Sequence, residues 1–223
     1  TGDSNIIIGY ETGQKNTGAS NVFIGDGSGR VSTGNNNSFI GHLSGNINSS
    51  GKENTFTGYN SGNLNSSGSY NVYTGFKSGA SLNGSYNTSI GHNSGYNTNT
   101  AVNSISNITA IGSSANTEAQ YATAIGSNSK ARSEKSTSIG SSTYVSSNAI
   151  NSTAIGYSAT ATGVNSIAIG SETQVSGANS VAIGYKTIVG DPNTVVIGNN
   201  EIKTVYIGSG IAELKTASVD KSS

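Results

Sequence analysis

The sequence predicts an all-β protein, a parallel β-solenoid in which short strands stack coil upon coil. A tetrapeptide that ends in glycine recurs fourteen times along the 223 residues. The residue before that glycine is isoleucine in twelve copies. The residue three before the glycine is β-branched in thirteen of the fourteen copies, with Ser38 as the exception. Glycine, serine and asparagine supply nearly half of the chain, and all three are poor helix formers.

The spacing of the repeat divides the chain into three segments. The repeat glycines lie 16 or 17 residues apart up to about residue 95 and mostly 14 apart from about residue 107. A 21-residue step between Gly91 and Gly112 carries an insertion around residues 96–106. We therefore expect long repeats at residues 1–106, short repeats at 107–208 and a neck or tail at 209–223. About fourteen coils, stacked about 4.8 Å apart, would form a rod about 60–65 Å long.

Each repeat supplies one short strand and one sharp turn. Residues two apart in a strand share a face, and β-branched residues suit extended backbone. We expect the isoleucines of this face to form the core of the coil or of a trimer. The predicted core residues are Ile24, Ile125, Ile155, Ile169 and Ile183. The glycine after each strand permits a positive φ. The predicted turn glycines are Gly9, Gly25, Gly41, Gly126, Gly156, Gly170 and Gly184.

A single chain has few apolar residues with which to stabilise such coils. Hydrophobic residues make up 32% of the sequence, against about 45–50% in ordinary globular domains. Two or three aliphatic side chains per coil contribute about 1.5–3 kcal/mol each, whereas ordering a residue costs about 1–2 kcal/mol. Closed cyclic symmetry would join three small cores around one axis. We therefore predict an obligate homotrimer, intertwined or side by side.

Composition excludes several classes of function. The chain has no cysteine, so it has no disulfide framework and no cysteine-based zinc or redox site. Its formal net charge is +0 with only 10% charged residues, which gives no electrostatic footprint for nucleic acid or an anionic membrane. No apolar run approaches the about 20 residues that span a bilayer. We expect no nucleic-acid partner, no direct membrane insertion and no cofactor.

The short repeats resemble a known family. Residues 151–156 (NSTAIG), 165–170 (NSIAIG) and 179–184 (NSVAIG) look like the head repeat of trimeric autotransporter adhesins, the YadA-like head, which reads N-S-x-A-[IL]-G-x-x-S-x-A. The resemblance covers about residues 107–198. It implies a left-handed parallel β-roll, a trimeric assembly and a function in adhesion.

The long repeats resemble this family more loosely and are similar to repeats of phage tail fibres and large surface proteins. Their asparagine lies four residues before the glycine rather than five. They also have aromatic residues where the short repeats have alanine. We expect these aromatic residues to fill a wider coil. These aromatic residues are Phe23, Phe39, Phe56 and Tyr73.

The C-terminal residues 210–223 drop the repeat. An end at Ser223 resembles tail fibres that an endosialidase-type intramolecular chaperone releases by cutting after a serine. The alternative is a neck or linker that is truncated at this point.

Aromatic residues outside the strands are the candidate contacts to a receptor. Tyr59, Phe76 and Tyr96 are the predicted receptor-binding residues, because exposed aromatic rings among asparagine and serine suit contacts with sugars. His42 and His92 each follow a repeat glycine, and a three-fold axis could gather three copies of either into a metal site. Their turn position favours the solvated surface instead, so we expect no metal.

No catalytic residues are indicated. The eleven carboxylates are scattered, whereas a glycosidase needs a close pair. The glycine-rich residues 25–29 lack the lysine and the helix of a phosphate-binding loop and are predicted to be a turn. The chain is therefore not expected to be an enzyme.

We predict a trimeric fibre segment that attaches to a host cell surface, as part of the tail fibre of a phage or phage-like particle in the virion. The alternative is the head of a bacterial trimeric adhesin at the cell surface. Two less favoured alternatives are a polysaccharide-degrading spike and an ice-binding solenoid; the threonines suggesting the latter are expected to be interior. These threonines are Thr109, Thr123, Thr137 and Thr153. Expected partners are two further copies of the chain, a host surface glycan or outer-membrane component, and other fibre or adhesin segments.

Overall fold

The computed structural model describes residues 2–95 and 104–202. Within these two ranges the chain forms nineteen strands of two or three residues and no helix. The strands are, in chain order, β1 (Ile6–Ile8), β2 (Val22–Ile24), β3 (Ser38–Ile40), β4 (Thr55–Thr57), β5 (Val72–Thr74), β6 (Thr88–Ile90), β7 (Thr109–Ile111), β8 (Asn116–Thr117), β9 (Thr123–Ile125), β10 (Lys130–Ala131), β11 (Thr137–Ile139), β12 (Tyr144–Val145), β13 (Thr153–Ile155), β14 (Thr160–Ala161), β15 (Ile167–Ile169), β16 (Gln174–Val175), β17 (Val181–Ile183), β18 (Ile188–Val189) and β19 (Val195–Ile197).

The strands form two parallel sheets. A thirteen-stranded sheet has the order β1-β2-β3-β4-β5-β6-β7-β9-β11-β13-β15-β17-β19, and a six-stranded sheet has the order β8-β10-β12-β14-β16-β18. Neighbouring strands pair in register, so that Ile155 lies opposite Ile169. This topology confirms the predicted parallel β-solenoid. Thirteen strands enclose about twelve turns rather than fourteen coils, because the repeat that ends at Gly208 lies outside the described residues, as does the predicted tail at 209–223.

The long and short repeats join in one continuous sheet. Across the 21-residue step, β6 pairs with β7 in register, with Thr88 opposite Thr109 and Ile90 opposite Ile111. The six-stranded sheet runs only from β8 to β18, so the short repeats have a second strand in each coil. In the long repeats a tight turn follows each strand instead. The repeat length thus changes the far side of the coil and leaves the stacking of the thirteen-stranded sheet intact.

Aromatic rings fill the interior of the long repeats. Phe23, Phe39, Phe56 and Tyr73 are each the centre of a strand and are fully buried. Their rings stack along the rod with centroids 4.7 to 5.1 Å apart, which is the spacing of the strands. The second glycine of the repeat makes room for the ring: a Cβ on Gly62, where φ is +57°, would lie 2.5 Å from the Phe56 ring. The expected wide aromatic coil is present.

Small residues fill the interior of the short repeats. The centre of each three-residue strand there is buried, except for the half-buried Val196 of β19, and it is alanine in most coils, as in Ala154 and Ala168. From the six-stranded sheet, Val145 and Val175 pack against these alanines in the same cluster. The interior of each short coil therefore consists of a few small side chains that pack between the two sheets.

The isoleucines predicted as core residues lie on the outside of the coil. A three-residue strand turns only its central side chain inward, so the first and third residues face outward. Ile169 is 36% exposed and Ile183 38% exposed, while Ile24, Ile125 and Ile155 are half-buried. Of the two predicted places for these five residues, the interior of the coil is therefore wrong, and the core of a trimer stays a prediction. The expectation that Thr109, Thr123, Thr137 and Thr153 are interior is wrong for the same reason, since all four are half-buried first residues of their strands.

A column of asparagine side chains ties the long coils together. Asn54 donates its Nδ2 hydrogens to the carbonyl oxygen of Gly68 at 2.9 Å and to Oδ1 of Asn37 at 3.2 Å. Its own Oδ1 accepts the backbone N–H of Asn71 at 2.9 Å. A buried amide that is satisfied in this way stabilises the turn. Each asparagine therefore bonds the coils on either side of it, and the column runs through Asn5, Asn21, Asn37, Asn54, Asn71 and Asn87.

Alkaline pH is expected to destabilise the long repeats through Tyr73. Burial raises the pKa of the Tyr73 phenol above its ordinary value, and the hydrogen bond with Asn87 at 3.4 Å offsets part of that effect. Since the folded pKa exceeds the unfolded pKa of about 10, the neutral phenol stabilises the fold below pH 10, and this stabilisation is lost as the pH rises further. When the pH is raised above about 10, the melting temperature of the wild type should decrease. The decrease should be smaller in Tyr73→Phe. Tyr121→Phe, which changes an exposed phenol, serves as the control; an identical pH dependence in all three proteins would contradict the assignment.

Candidate receptor-binding surfaces

The outer side of the thirteen-stranded sheet is a continuous uncharged surface. It consists of the first and third residues of the thirteen strands, and we name it the apolar face. Isoleucine, valine, threonine and Ser38 are the only residues on it. Several of its aliphatic side chains are well exposed in the single chain, including Ile8 at 58% and Val195 at 65%. An exposed apolar surface that is this long is typical of a site of association between proteins.

Four stacked rings form a second feature, at the position that follows the repeat glycine. His42, Tyr59, Phe76 and His92 come from successive coils, and we name them the aromatic row. Their ring centroids lie 5.2, 5.1 and 5.2 Å apart along the row, with planes within 12° of parallel. Tyr59 and Phe76 are each 43% exposed. The structure thus brings two of the three predicted receptor-binding residues together; the third, Tyr96, lies outside the described residues.

The two histidines occupy the ends of the aromatic row. Both are exposed, and Nε2 of His42 lies 3.9 Å from Oδ2 of Asp26 in the preceding coil. In residues 2–95 and 104–202, no group of three or more histidine, cysteine, aspartate or glutamate side chains is arranged to hold a metal ion. Within one chain the histidines therefore act as ring neighbours of Tyr59 and Phe76. A meeting of three copies at a three-fold axis stays a hypothesis.

The predicted turn glycines share one backbone conformation. Gly9, Gly25, Gly41, Gly126, Gly156, Gly170 and Gly184 have φ between +124° and +137°. Each follows a strand of the thirteen-stranded sheet and directs the chain away from it. The residue two positions later again has a positive φ, as in Asn60 and Lys77. This regular geometry places the side chains that follow the glycines in columns along the rod.

Two ion pairs of the short repeats join neighbouring coils. Arg132 donates from Nε to Oε2 of Glu118 at 2.7 Å, and its Nη1 lies 3.5 Å from the Tyr144 hydroxyl. The bond to Glu118 is the main cause of a raised pKa for Arg132. Lys186 lies 3.7 Å from Glu172 and over the Tyr185 ring. These contacts satisfy the charges of neighbouring coils and have the form of surface ion pairs rather than of a catalytic centre.

A cleft beside the aromatic row was not predicted from the sequence. It has a volume of about 230 Å³ and is lined by Asn60, Asn63, Leu64, Lys77 and Ala80; we name it the Lys77 cleft. Three further clefts on the described surface have volumes of about 130 to 310 Å³. The lysine and the asparagines come from adjacent coils, so their proximity depends on the stacking register. The one sequence feature that could have indicated this cleft is Lys77, which directly follows Phe76.

Comparison with protein families identifies the repeat of the short coils. The profile of the YadA head domain repeat, which covers two copies of the repeat, matches residues 109–129, 118–143, 147–173 and 176–200. A comparison with curated protein sequences found no match. Residues 2–95 and 104–202 contain no helix that is long and apolar enough to cross a bilayer. The matched ranges coincide with the coils that have two strands and an alanine-rich interior. Residues 109–200 of this chain are therefore YadA head domain repeats.

Proposed function

We propose that this chain is a non-enzymatic segment of a homotrimeric fibre that attaches to a host cell surface. The observation that carries the proposal is the apolar face, which extends from β1 to β19 without a charged residue. A solvated surface of this length would be expected to contain charges, whereas the contact between copies of a chain would not.

Three-fold association would cover the apolar face. YadA heads are homotrimers, and residues 109–200 are repeats of that type. In such a trimer the exposed isoleucines of β15, β17 and β19 would meet those of two further copies around the axis. Burial of these side chains removes apolar area from water at about 25 cal/mol per Å². The isoleucines would then serve as a core between chains rather than inside one coil.

Attachment is the role that the remaining surface supports. YadA heads are structural adhesin domains exposed outside the cell. The turns and the six-stranded sheet of this chain carry aromatic, amide and charged groups on the outside, and they would stay accessible if the apolar face were covered. A host surface glycan or an outer-membrane component is the proposed target.

Two settings for such a fibre can be distinguished. We assign the chain first to the tail fibre of a phage or phage-like particle, because residues 2–95 have the aromatic-filled long coils that resemble tail-fibre repeats, and the YadA profile matches none of them. The second candidate is the head of a bacterial trimeric surface adhesin, which the match at residues 109–200 favours.

The oligomeric state tests the first part of the proposal. Light scattering of the purified chain at micromolar concentration should give three times the chain mass of 22.4 kDa. A folded monomer under these conditions would refute the trimer.

Cell binding tests the second part. A fluorescently labelled trimer should bind to the surface of a subset of bacterial strains, and an excess of unlabelled trimer should block adsorption of particles that carry the fibre. Binding to animal cells or extracellular matrix without binding to bacteria would instead support the surface adhesin. Failure of the trimer to bind to any of these surfaces would exclude the attachment function.

A further inference from the structure

We propose that the Lys77 cleft binds an anionic sugar residue of the glycan to which the fibre attaches. This inference rests on the proposed attachment function and names the ligand class of one site. The cleft, of about 230 Å³, is below the about 300–1,000 Å³ of pockets for drug-sized ligands. It therefore suits one small ring rather than a large ligand.

Lys77 supplies the positive charge of the cleft. Its Nζ lies 5.4 Å from the centroid of the Phe76 ring, and among the described residues no carboxylate lies within ion-pair distance of it. The ammonium group can donate three hydrogen bonds. Contact with the ring holds the lysine head without consuming these donors, so they remain available to a carboxylate or phosphate.

Two amide side chains supply neutral polar groups. Asn63 donates from Nδ2 to Oδ1 of Asn60 at 2.7 Å, which fixes the two side chains relative to each other. Within the described part of the chain, Nδ2 of Asn60 and Oδ1 of Asn63 make no other hydrogen bond. The NH2 group of Asn60, with two hydrogens, and the carbonyl oxygen of Asn63 thus remain for sugar hydroxyl groups. Leu64, 50% exposed, and the buried Ala80 add an apolar wall for the C–H face of a sugar ring.

The stacked coils hold these groups in place before any ligand arrives. The backbone N–H of Lys77 donates to the carbonyl oxygen of Tyr59 at 2.8 Å, and that of Leu64 donates to Ala80 at 2.9 Å. The rings of Tyr59 and Phe76, which directly precede Asn60 and Lys77, stack on each other. A site that is ordered in the free protein binds its ligand with a smaller loss of conformational entropy.

A second aromatic–lysine pair shows what distinguishes the cleft. Tyr185 and Lys186 follow Gly184 as Phe76 and Lys77 follow Gly75, and Nζ of Lys186 lies 4.8 Å from the Tyr185 ring centroid. Lys186, however, is paired with Glu172 at 3.7 Å. The same backbone position therefore carries a neutralised lysine in the short repeats and an unpaired one in the long repeats. This difference provides a matched control.

The test uses the trimeric chain on a glycan array. The probes are oligosaccharides that end in N-acetylneuraminate, in glucuronate or in a phosphorylated hexose, each beside the neutral oligosaccharide without the anionic group. The wild-type trimer should prefer at least one anionic probe, and the preferred arm distinguishes carboxylate from phosphate sources. Lys77→Gln should weaken that binding about tenfold. Lys77→Arg should restore most of it, and Lys186→Gln should leave it unchanged. Light scattering and circular dichroism confirm that each variant is a folded trimer.

Two results would overturn the inference: no preference for any anionic probe, or equal losses from Lys77→Gln and Lys186→Gln. The second result would mean that the loss reflects overall charge rather than this cleft. Either result, combined with normal attachment of the wild-type trimer to cells, would leave the proposed attachment function intact. Absence of any cell attachment would remove that function itself.

Discussion

Replacing Gly170 with valine should separate the coils on either side of it. Gly170 has a φ of +134°, and a Cβ at this position would overlap the carbonyl group of Gly184 in the next coil, 2.7 Å from its carbon atom. The obstacle is backbone that pairs in a parallel sheet, so it cannot move without breaking the stack. Backbone strain and this overlap together should cost about 4 kcal/mol or more.

Thermal unfolding followed by circular dichroism measures this effect. The Gly170→Val protein should unfold at a much lower temperature than the wild type and should be cut by protease near residue 170. Gly190→Val is the matched control, because a Cβ on Gly190 would meet no heavy atom within 4 Å. Equal melting temperatures of wild type and Gly170→Val would show that the turn geometry is wrong.

Replacing Ile169 with aspartate should dissociate the trimer and lower the temperature at which the chain unfolds. Ile169 is 36% exposed on the apolar face of the single chain, so a carboxylate there can remain solvated in a monomer. In the proposed trimer, three carboxylates would be brought together around the axis and desolvated. The expected cost is about 2–5 kcal/mol per chain.

Light scattering and circular dichroism together measure this change. The Ile169→Asp chain should lose the scattering of a trimer and unfold at a lower temperature than the wild type, and acidification below about pH 4 should favour reassembly by neutralising the carboxylates. Ile188→Asp is the control, because Ile188 is exposed on the six-stranded sheet and not on the apolar face. A trimer that forms equally well with Ile169→Asp would remove the apolar face as the contact surface.

Substitutions at the adjacent residues 169 and 170 are thus expected to affect quaternary and tertiary structure respectively. The side chain of Ile169 points out of the coil, and its substitution is expected to change the association of chains. A Cβ on Gly170 would overlap the backbone of the next coil, and substitution of this glycine is expected to change the stacking within one chain.

The period of the repeat was sufficient to predict the fold. The regular Ile-Gly units predict one strand per coil, and the thirteen-stranded sheet places these strands in register even across the 21-residue step. The buried stack of Phe23, Phe39, Phe56 and Tyr73 could also be predicted, because large rings at the centre of a strand require a wide interior.

Side-chain size did not indicate which residues of the short strands point into the coil. The prediction left open whether isoleucine lies in the core of the coil or in that of a trimer, and the structure places Ala154 and Ala168 inside the coil. These alanines pack against residues of the six-stranded sheet such as Val145 and Val175, so a small residue suffices at the centre of the strand. The pattern that identifies the interior is the small residue held between two β-branched ones, as in Ile167-Ala168-Ile169.

The one-residue shift of asparagine between the repeats has a structural counterpart. In the long coils Asn54 and its equivalents are buried and bond the coils internally. In the short coils a serine takes over this role: Oγ of Ser152 accepts the backbone N–H of Ser166 at 2.9 Å. The asparagine moves one position earlier to a residue with positive φ, and Asn151 and Asn165 stack outside with an Nδ2–Oδ1 distance of 3.2 Å.

The Lys77 cleft could not be predicted because it depends on contacts between coils. Lys77 and Asn60 are 17 residues apart in the sequence, and they become neighbours only because each occupies the second position after its repeat glycine. A periodic spacing indicates which residues share a column. It does not indicate whether a lysine in that column has a carboxylate beside it, as Lys186 has and Lys77 has not.

The in-register pairing of each strand with only the coils before and after it also makes the rod modular. Loss or duplication of one whole repeat would leave every other coil with the same two neighbours. The distance between the anchorage of the proposed fibre and its target could therefore change during evolution in steps of about 4.8 Å, the thickness of one coil, without redesign of the surfaces that make contact.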